Sequence, residues 1–133
     1  MTPANGIPAA LTAAFRAGAF FTDALTALPN TSFSKPLATV AWCAVFNLPS
    51  APDTSGINSH DEYPGVFQID LNYPLNKGAG AAQAKADAIR AVFKRGAVLG
   101  GVEIVSTSTA QGVPVDGWYR VPVSVTYRAF AGR

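Results

Sequence analysis

The segment GVFQIDLNYPLNKGAGAAQAKADAIRAVFKRG, residues 65–96, decides the fold. Over 66–73 the residue type alternates strictly, and this predicts a strand with one buried face and one face that is wet or covered by a partner. After a glycine-rich turn, apolar residues recur at helical spacing over about 81–95, with polar residues on the opposite side. We therefore predict a strand followed by a helix that packs on one face of a sheet.

The turn Gly78-Ala79-Gly80 resembles a phosphate-binding loop only superficially. A dinucleotide fingerprint has a third glycine where this chain has Gln83, and the acidic Glu103 lies near the beginning of its strand instead of the carboxyl end. The preceding strand is half polar, whereas nucleotide-binding parallel sheets have continuously apolar strands. We interpret the turn as a βα connection and expect no cofactor.

The remaining segments extend this unit into a sheet with two helices. Residues from about Ile7 predict an N-terminal helix that could break near Gly18, and 39–48 predict a strand buried on one face and nearly so on the other. A strand starting at 102–106 and a strand over 118–128 are joined by turn-rich sequence, which predicts a long antiparallel hairpin. Pro122 favours an edge strand or an outward amide there. The predicted fold class is α+β: a single domain, residues 1–133, with a mostly antiparallel sheet.

Composition limits the function classes. The chain has 133 residues, 49% apolar and 14% charged, with ten Lys+Arg against eight Asp+Glu scattered along it. That length suits one domain, and a chain with so many apolar and so few charged residues is expected to bury part of its surface against partners. No basic run indicates sequence-specific nucleic-acid binding, and no segment indicates secretion or membrane insertion.

A long polar segment, PSAPDTSGINSHDEYPG at 49–65, is predicted to be a loop, either functional or merely solvated. It contains His60, Asp61 and Glu62, but adjacent side chains point apart and no second His is present to complete a metal site. The lone Cys43 lies in an apolar strand pattern, where a buried thiol is expected. We predict no metal site, no catalytic residue and no enzymatic activity.

The order of these segments resembles the tail terminator proteins of bacteriophages with long, non-contractile tails. LPNTSFSKP leads into ATVAWCAVFNLP, a polar loop follows, residues 65–96 give the strand, turn and helix, and the chain closes on WYRVPVSVTYRAF. The resemblance covers nearly the whole chain, and its most specific part is residues 65–96.

The resemblance implies a structural virion protein at the head-proximal end of the tail, assembled in the host cytoplasm. Such proteins form a homo-hexameric ring that caps the tail tube, ends its polymerisation and offers its other face to head-completion (neck) proteins. DNA then passes through the lumen without sequence-specific binding. Two alternatives stay open: another phage neck or head-tail joining protein, and a small nucleotide- or ligand-binding α/β domain.

Partner contacts are predicted in the segments 52–64 and 110–117, which a compact monomer does not need; the competing interpretation is that both are surface loops. The candidate residues for protein interaction are Asp53, Ile57, His60, Asp61, Glu62, Tyr63, Val113, Asp116 and Trp118.

Overall fold

The computed structural model describes residues 6–29, 31–49, 53–54 and 60–132, with backbone alone for 53–54, 60–61 and 130–132. The helices are α1 (Ile7–Ala17) and α2 (Gly80–Val92), with a 3₁₀ turn at Asp23–Leu25. The strands are β1 (Thr26–Ala27), β2 (Trp42–Pro49), β3 (Asp53–Thr54), β4 (His60–Pro74), β5 (Val98–Leu99), β6 (Val102–Thr109), β7 (Val113–Val115) and β8 (Trp118–Gly132). The predicted α+β class is confirmed.

The strands form one sheet in the order β1-β2-β4-β8-β6-β5, with β3 paired to β4 and β7 paired to β8. Every pairing is antiparallel except that of β1 with β2. β4 and β8 pair along their whole length, from His60 opposite Gly132 to Pro74 opposite Trp118. These two long central strands set the dimensions of the molecule.

Both helices cover the same face of the sheet. The helix residues Leu11, Phe15, Ala86 and Ile89 are buried, as the spacing of apolar residues predicts. They pack against the apolar sides of the central strands: Phe67, Ile69 and Leu71 from β4, and Val121, Val123 and Val125 from β8. The predicted buried face of β4 is therefore confirmed.

The two helices end close to their predicted limits. α1 stops before Gly18, whose N–H donates to the Ala14 carbonyl. α2 stops at Val92 because the chain then turns toward β6: Phe93 leaves helical geometry, and the Gly96 N–H donates to the Ile104 carbonyl over 2.8 Å. The helix is thus shorter than the predicted span.

Among the described residues, neither α-helix lies on the opposite face of the sheet. At one end Trp42, Ala44 and Trp118 form a small apolar cluster, against which Phe33 packs. Beyond this cluster lie polar side chains of β4 and β8, joined in a short network in which Gln68 donates to Asp70 and Arg120 donates to Asn72. Asn72 is buried, so the second face of β4 is covered in part by the chain's own residues.

The predicted loop at 49–65 is wrong over much of its length. Pro49 ends β2, Asp53–Thr54 form β3, and β4 begins at His60 instead of Val66. β2 and β3 follow one another along the same edge of β4, so the described residues of this segment belong to the sheet. The sequence signal fails here because 60–65 contain Pro64 and Gly65 and do not alternate.

Pro122 does not lie in an edge strand, since β8 sits between β4 and β6. Its carbonyl accepts from the Ala110 N–H over 3.0 Å, just past the end of β6 at Thr109. In a strand the N and C=O of one residue point to the same side. The missing donor of Pro122 therefore points to the side where regular pairing with β6 has just ended.

Candidate interaction surfaces

One group of predicted contact residues lies where β4 begins. Asp53 lies opposite Glu62, and Thr54 opposite Asp61. The Glu62 carboxylate is 3.9 Å from the Arg128 guanidinium, which also contacts Glu103 over 3.1 Å. The Glu103 carboxylate raises the pKa of Arg128. This end of the sheet is thus rich in acidic residues, with one arginine between two of them.

The other predicted contact residues of that group differ in how the structure places them. Tyr63 is half-buried and packs against the main core, so its ring belongs largely to the chain's own interior. His60 and Asp61 occupy the first positions of β4. Ile57 lies outside the described residues.

The second group lies at the β7–β8 turn. Asp116 and Gly117 have φ values of 52° and 85° and connect Val115 to its partner Trp118. Two left-handed residues in a two-residue connection are the signature of a type I′ turn, which Asp-Gly favours. Val113 is 48% exposed just before this turn, so an apolar side chain stands beside a tight polar tip.

Trp118 begins β8 but is not exposed. It is only 6% accessible, and its ring meets that of Trp42 edge to face. The ring therefore stabilises the cluster on the helix-free face of the same chain.

The two groups of predicted contact residues lie far apart. Asp53 and Glu62 lie at the end where β4 starts, whereas Val113, Asp116 and Trp118 lie where β4 ends and β8 starts. A strand rises about 3.3 Å per residue, so β4 is roughly 45 Å long when measured along its path. The predicted contact residues thus form two separate surfaces.

Sequence reasoning missed the exposed apolar side chains at the two edges of the sheet. Phe46 and Leu48 in β2 are 43% and 51% exposed, and Val98 in β5 is 65% exposed. The alternation in β2 predicts nearly complete burial, and this prediction is wrong for Phe46 and Leu48. The sequence did contain a signal for this exposure. It predicts only two helices, and two helices that pack on one face of a sheet leave the other face open.

A groove of about 790 Å³ runs beside α1. It is lined mainly by small and apolar residues, and the exposed pair Arg16 and Asp23, 3.3 Å apart, lies near it. The polar side chains that line the groove do not form a catalytic arrangement. The lining residues are Pro8, Ala9, Thr12, Ala13, Arg16, Ala17, Leu28, Pro29 and Thr31.

The βα connection has a backbone explanation. Gly78 adopts φ +75°, a conformation that other residues rarely adopt, and Asn76 adopts φ 62°. Gly80 opens α2, and a Cβ there would meet nothing within 4 Å. Only Gly78 is therefore required by the turn, not both glycines.

Cys43 is fully buried, as predicted, and its thiol lies 3.7 Å from the Thr26 hydroxyl. Burial raises the pKa of Cys43 to about 12. The thiolate, which is the reactive form, is thus scarce at neutral pH.

The described parts of the chain lack two further features. No helix there is long and apolar enough to span a membrane. Nor do three or more His, Cys, Asp or Glu side chains gather there in a metal-binding arrangement.

A sequence profile of the family described as phage tail terminator protein matches residues 6–127. The chain belongs to the phage tail terminator family. The resemblance predicted from the order of the segments is confirmed. Membership indicates a structural protein of the phage tail, located in the virion, and points away from an enzyme.

Solved structures share this architecture. One is 28% identical, with a TM-score of 0.67 over 96% of both chains. Another, from the virion of a native gene transfer agent particle, is 18% identical, with a TM-score of 0.58 over 92% of this chain and 93% of the other. The second likeness concerns the fold alone. A comparison with curated proteins returned no match.

Proposed function

We propose that this tail terminator forms a six-fold ring on the last ring of the tail tube and stops its polymerisation there. The ring's other face then receives the head-completion proteins, and DNA passes through the lumen without sequence-specific contacts. The observation that carries the proposal is the family match over residues 6–127. Assembly takes place in the host cytoplasm before the head joins.

The two separate surfaces support two different partners. The acidic end, with Asp53, Asp61 and Glu62, and the β7–β8 turn, with Val113 and Asp116, lie at opposite ends of the central strands. A capping protein must contact the tube on one side and the neck on the other. We assign one surface to each partner, with His60 and Tyr63 belonging to the acidic end and Trp118 supporting the turn from beneath.

The experiment is to mix purified protein with tail tubes and image them by negative stain, with sedimentation to quantify binding. Capped tube ends and tubes of uniform length support the proposal. Attachment only to filled heads would favour a different neck component, and tight nucleotide binding by a monomer would overturn both.

Two variants separate the surfaces. Val113→Asp places a charge on the exposed apolar residue beside the turn, and Glu62→Lys reverses a charge at the other end. Each is expected to reduce one joint, tube capping or head attachment, by tenfold or more while leaving the other near wild type. Gln83→Ala, on the exposed side of α2, is the matched control. Loss of both joints in either variant, with the monomer still folded, would contradict the assignment of one surface to each partner.

A further inference from the structure

Exposed apolar side chains gather at the end of the sheet where β4 stops and β8 starts. Asn72 pairs with Trp42 on one side and with Arg120 on the other. Arg120 in turn pairs with Val113, so all four residues share one row across the sheet. Within the described residues, four large exposed apolar side chains lie at or beyond this row, and we call them the apolar end: Leu37 (78% exposed), Val40 (37%), Leu75 (36%) and Val113 (48%).

Three separate segments bring these side chains to the same end. Val40 comes two residues before β2, and its N–H donates to the Leu37 carbonyl over 2.9 Å, so a tight turn holds both residues. Leu75 follows the last residue of β4, which pairs with Trp118, and Val113 opens β7. Neighbouring strands lie about 4.8 Å apart, so the segments stand side by side over roughly 15 Å.

The apolar end rests on a packed base. The Phe33 ring lies 5.0 Å from that of Trp42, which meets Trp118 edge to face. The Lys35 ammonium lies over the Trp42 ring, 5.9 Å from its centroid, and so helps to hold the segment that leads to Leu37. Groups that are held in place before binding lose less conformational freedom when a partner arrives.

Charged residues surround the apolar end and do not interrupt it. Lys35, Lys77 and Asp116 are exposed, and each lies two or three residues along the chain from one of its members. An apolar centre with a polar rim is the usual anatomy of a protein–protein interface. The arrangement therefore fits a protein partner.

One subunit alone offers too little surface to hold such a partner. The four apolar residues and three rim residues are far fewer than the roughly 20–30 residues that each side contributes to a stable interface. A ring with one such surface per subunit multiplies the contact, because each further contact forms within an assembly that is already attached. The matching partner presents the same site several times around a ring, as the open end of a tube does.

The order of assembly distinguishes the tube from the neck proteins. In the proposed function the tail is capped before the head joins, so the surface that faces the neck stays in water for longer. Such a surface is expected to be charged, because exposed apolar patches promote unwanted association. The acidic end has this character, since the carboxylates of Glu62 and Glu103 lie on either side of Arg128. The apolar end is then the surface that is covered first.

We infer that the apolar end binds the last ring of the tail tube and that the acidic end faces the neck proteins. The inference rests on the proposed function and assigns its two surfaces. Leu37, the most exposed of the four side chains, and Val113, at the other side of the surface, both contact the tube.

The test is thiol labelling with a maleimide, for which Leu37→Cys and Glu62→Cys place one thiol at each end. The native Cys43 is buried and does not compete. Labelling of Leu37→Cys should slow at least tenfold when the protein caps tail tubes, relative to the same variant free in solution. Glu62→Cys should keep its free rate on capped tubes and slow only when heads join. Ala88→Cys, at an exposed position of α2, is the matched control for general shielding by the tube.

Salt dependence gives a second measure of the same contact. In about 1 M NaCl the screening length falls to about 3 Å, so contacts that depend on charge weaken. Capping by the wild-type protein, measured by sedimentation with tubes, should change less than about twofold between low salt and this concentration. A tenfold loss of capping would show that charges hold the tube and would overturn the inference.

Val113→Cys repeats the labelling from a different segment and should be protected like Leu37→Cys. Tubes that protect Glu62→Cys, or that leave both other thiols reactive, overturn the inference and leave the proposed function intact. Protection of Leu37→Cys in a concentration-dependent dimer of the free protein also overturns it, because the apolar end would then bind a second copy. A wild-type protein that caps no tubes overturns the proposed function instead.

Discussion

Trp42 and Trp118 contact each other edge to face on the helix-free side of the sheet, with ring centroids 5.9 Å apart and planes at 86°. They come from different strands and are almost fully buried. Edge-to-face packing is the favoured geometry for aromatic pairs. Both α-helices pack on the other face of the sheet. This cluster covers one end of the face that they leave open.

Replacing Trp118 with alanine should therefore destabilise the isolated protein. Removing a buried aromatic side chain costs about 3–5 kcal/mol, and we expect a loss of that size in the free energy of unfolding measured with urea. Val113→Ala, which truncates a half-exposed side chain near the same turn, should cost less than about 1 kcal/mol. Wild-type stability in Trp118→Ala, combined with lost assembly, would instead make this ring a partner anchor.

The two glycines of the βα connection should respond differently to alanine. Gly78→Ala forces a Cβ into a left-handed conformation and should lower stability by about 1–2 kcal/mol. Gly80→Ala lies at the start of α2 with open space around it and should be neutral or stabilising by up to about 1 kcal/mol. Chemical denaturation of both variants gives the comparison; equal losses would mean that the turn depends on both glycines.

Gly65 lies where the two central strands press against β2. A Cβ at this position would overlap the Tyr127 hydroxyl and lie 3.0 Å from the Pro49 Cα. We expect Gly65→Ala to destabilise the protein by about 1–3 kcal/mol, the usual cost of overpacking. Thermal unfolding measures this, and an unchanged midpoint would show that Tyr127 moves aside freely.

The Tyr127 hydroxyl itself donates to the Asn47 side-chain oxygen over 2.7 Å. Tyr127→Phe removes this donor and should cost about 1 kcal/mol without affecting the packing of the ring. The same unfolding measurement applies. A loss above about 3 kcal/mol would indicate that the hydroxyl does more than bond Asn47.

Cys43 should make stability fall at high pH. Its pKa in the folded protein, about 12, exceeds the ordinary value of 9.0, so the folded state holds the proton more tightly than the unfolded state. Its contribution is complete below pH 9 and is lost between pH 9 and 12, at up to about 1.4 kcal/mol per pH unit. Cys43→Ala should flatten this decline, as followed by urea unfolding at pH 8, 9.5 and 10.5. Parallel curves for the two proteins would contradict the assignment to Cys43.

Helix α2 and the second half of β4 could be predicted because their periodicity is strong: Ala86 and Ile89 recur at helical spacing, and Ile69 and Leu71 alternate with polar residues. The beginning of β4 could not be. His60 and its neighbours do not alternate, and they form a strand because β8 pairs with them from a distant position in the sequence.

The candidate contact residues show the same division. Polarity and turn composition identified the segments containing Glu62 and Asp116, and the structure places both at ends of the sheet. The same reasoning could not separate Trp118, which the fold buries, from Val113, which it exposes. Burial depends on what packs above a residue, and Trp42 lies far away in the sequence.

The sequence by itself determined the strand, turn and helix of residues 65–96, the buried faces of these elements and the likeness to tail terminators. Those properties follow from residue spacing along the chain, because core-facing positions recur at every second residue in a strand and at every third or fourth residue in a helix. Only the tertiary structure decided that the predicted contact segments lie at opposite ends of β4 and β8, and that residues of β2 and β6 align with Val123 and Val125 from opposite sides of the sheet. These relationships depend on pairing between distant strands, which no local pattern encodes.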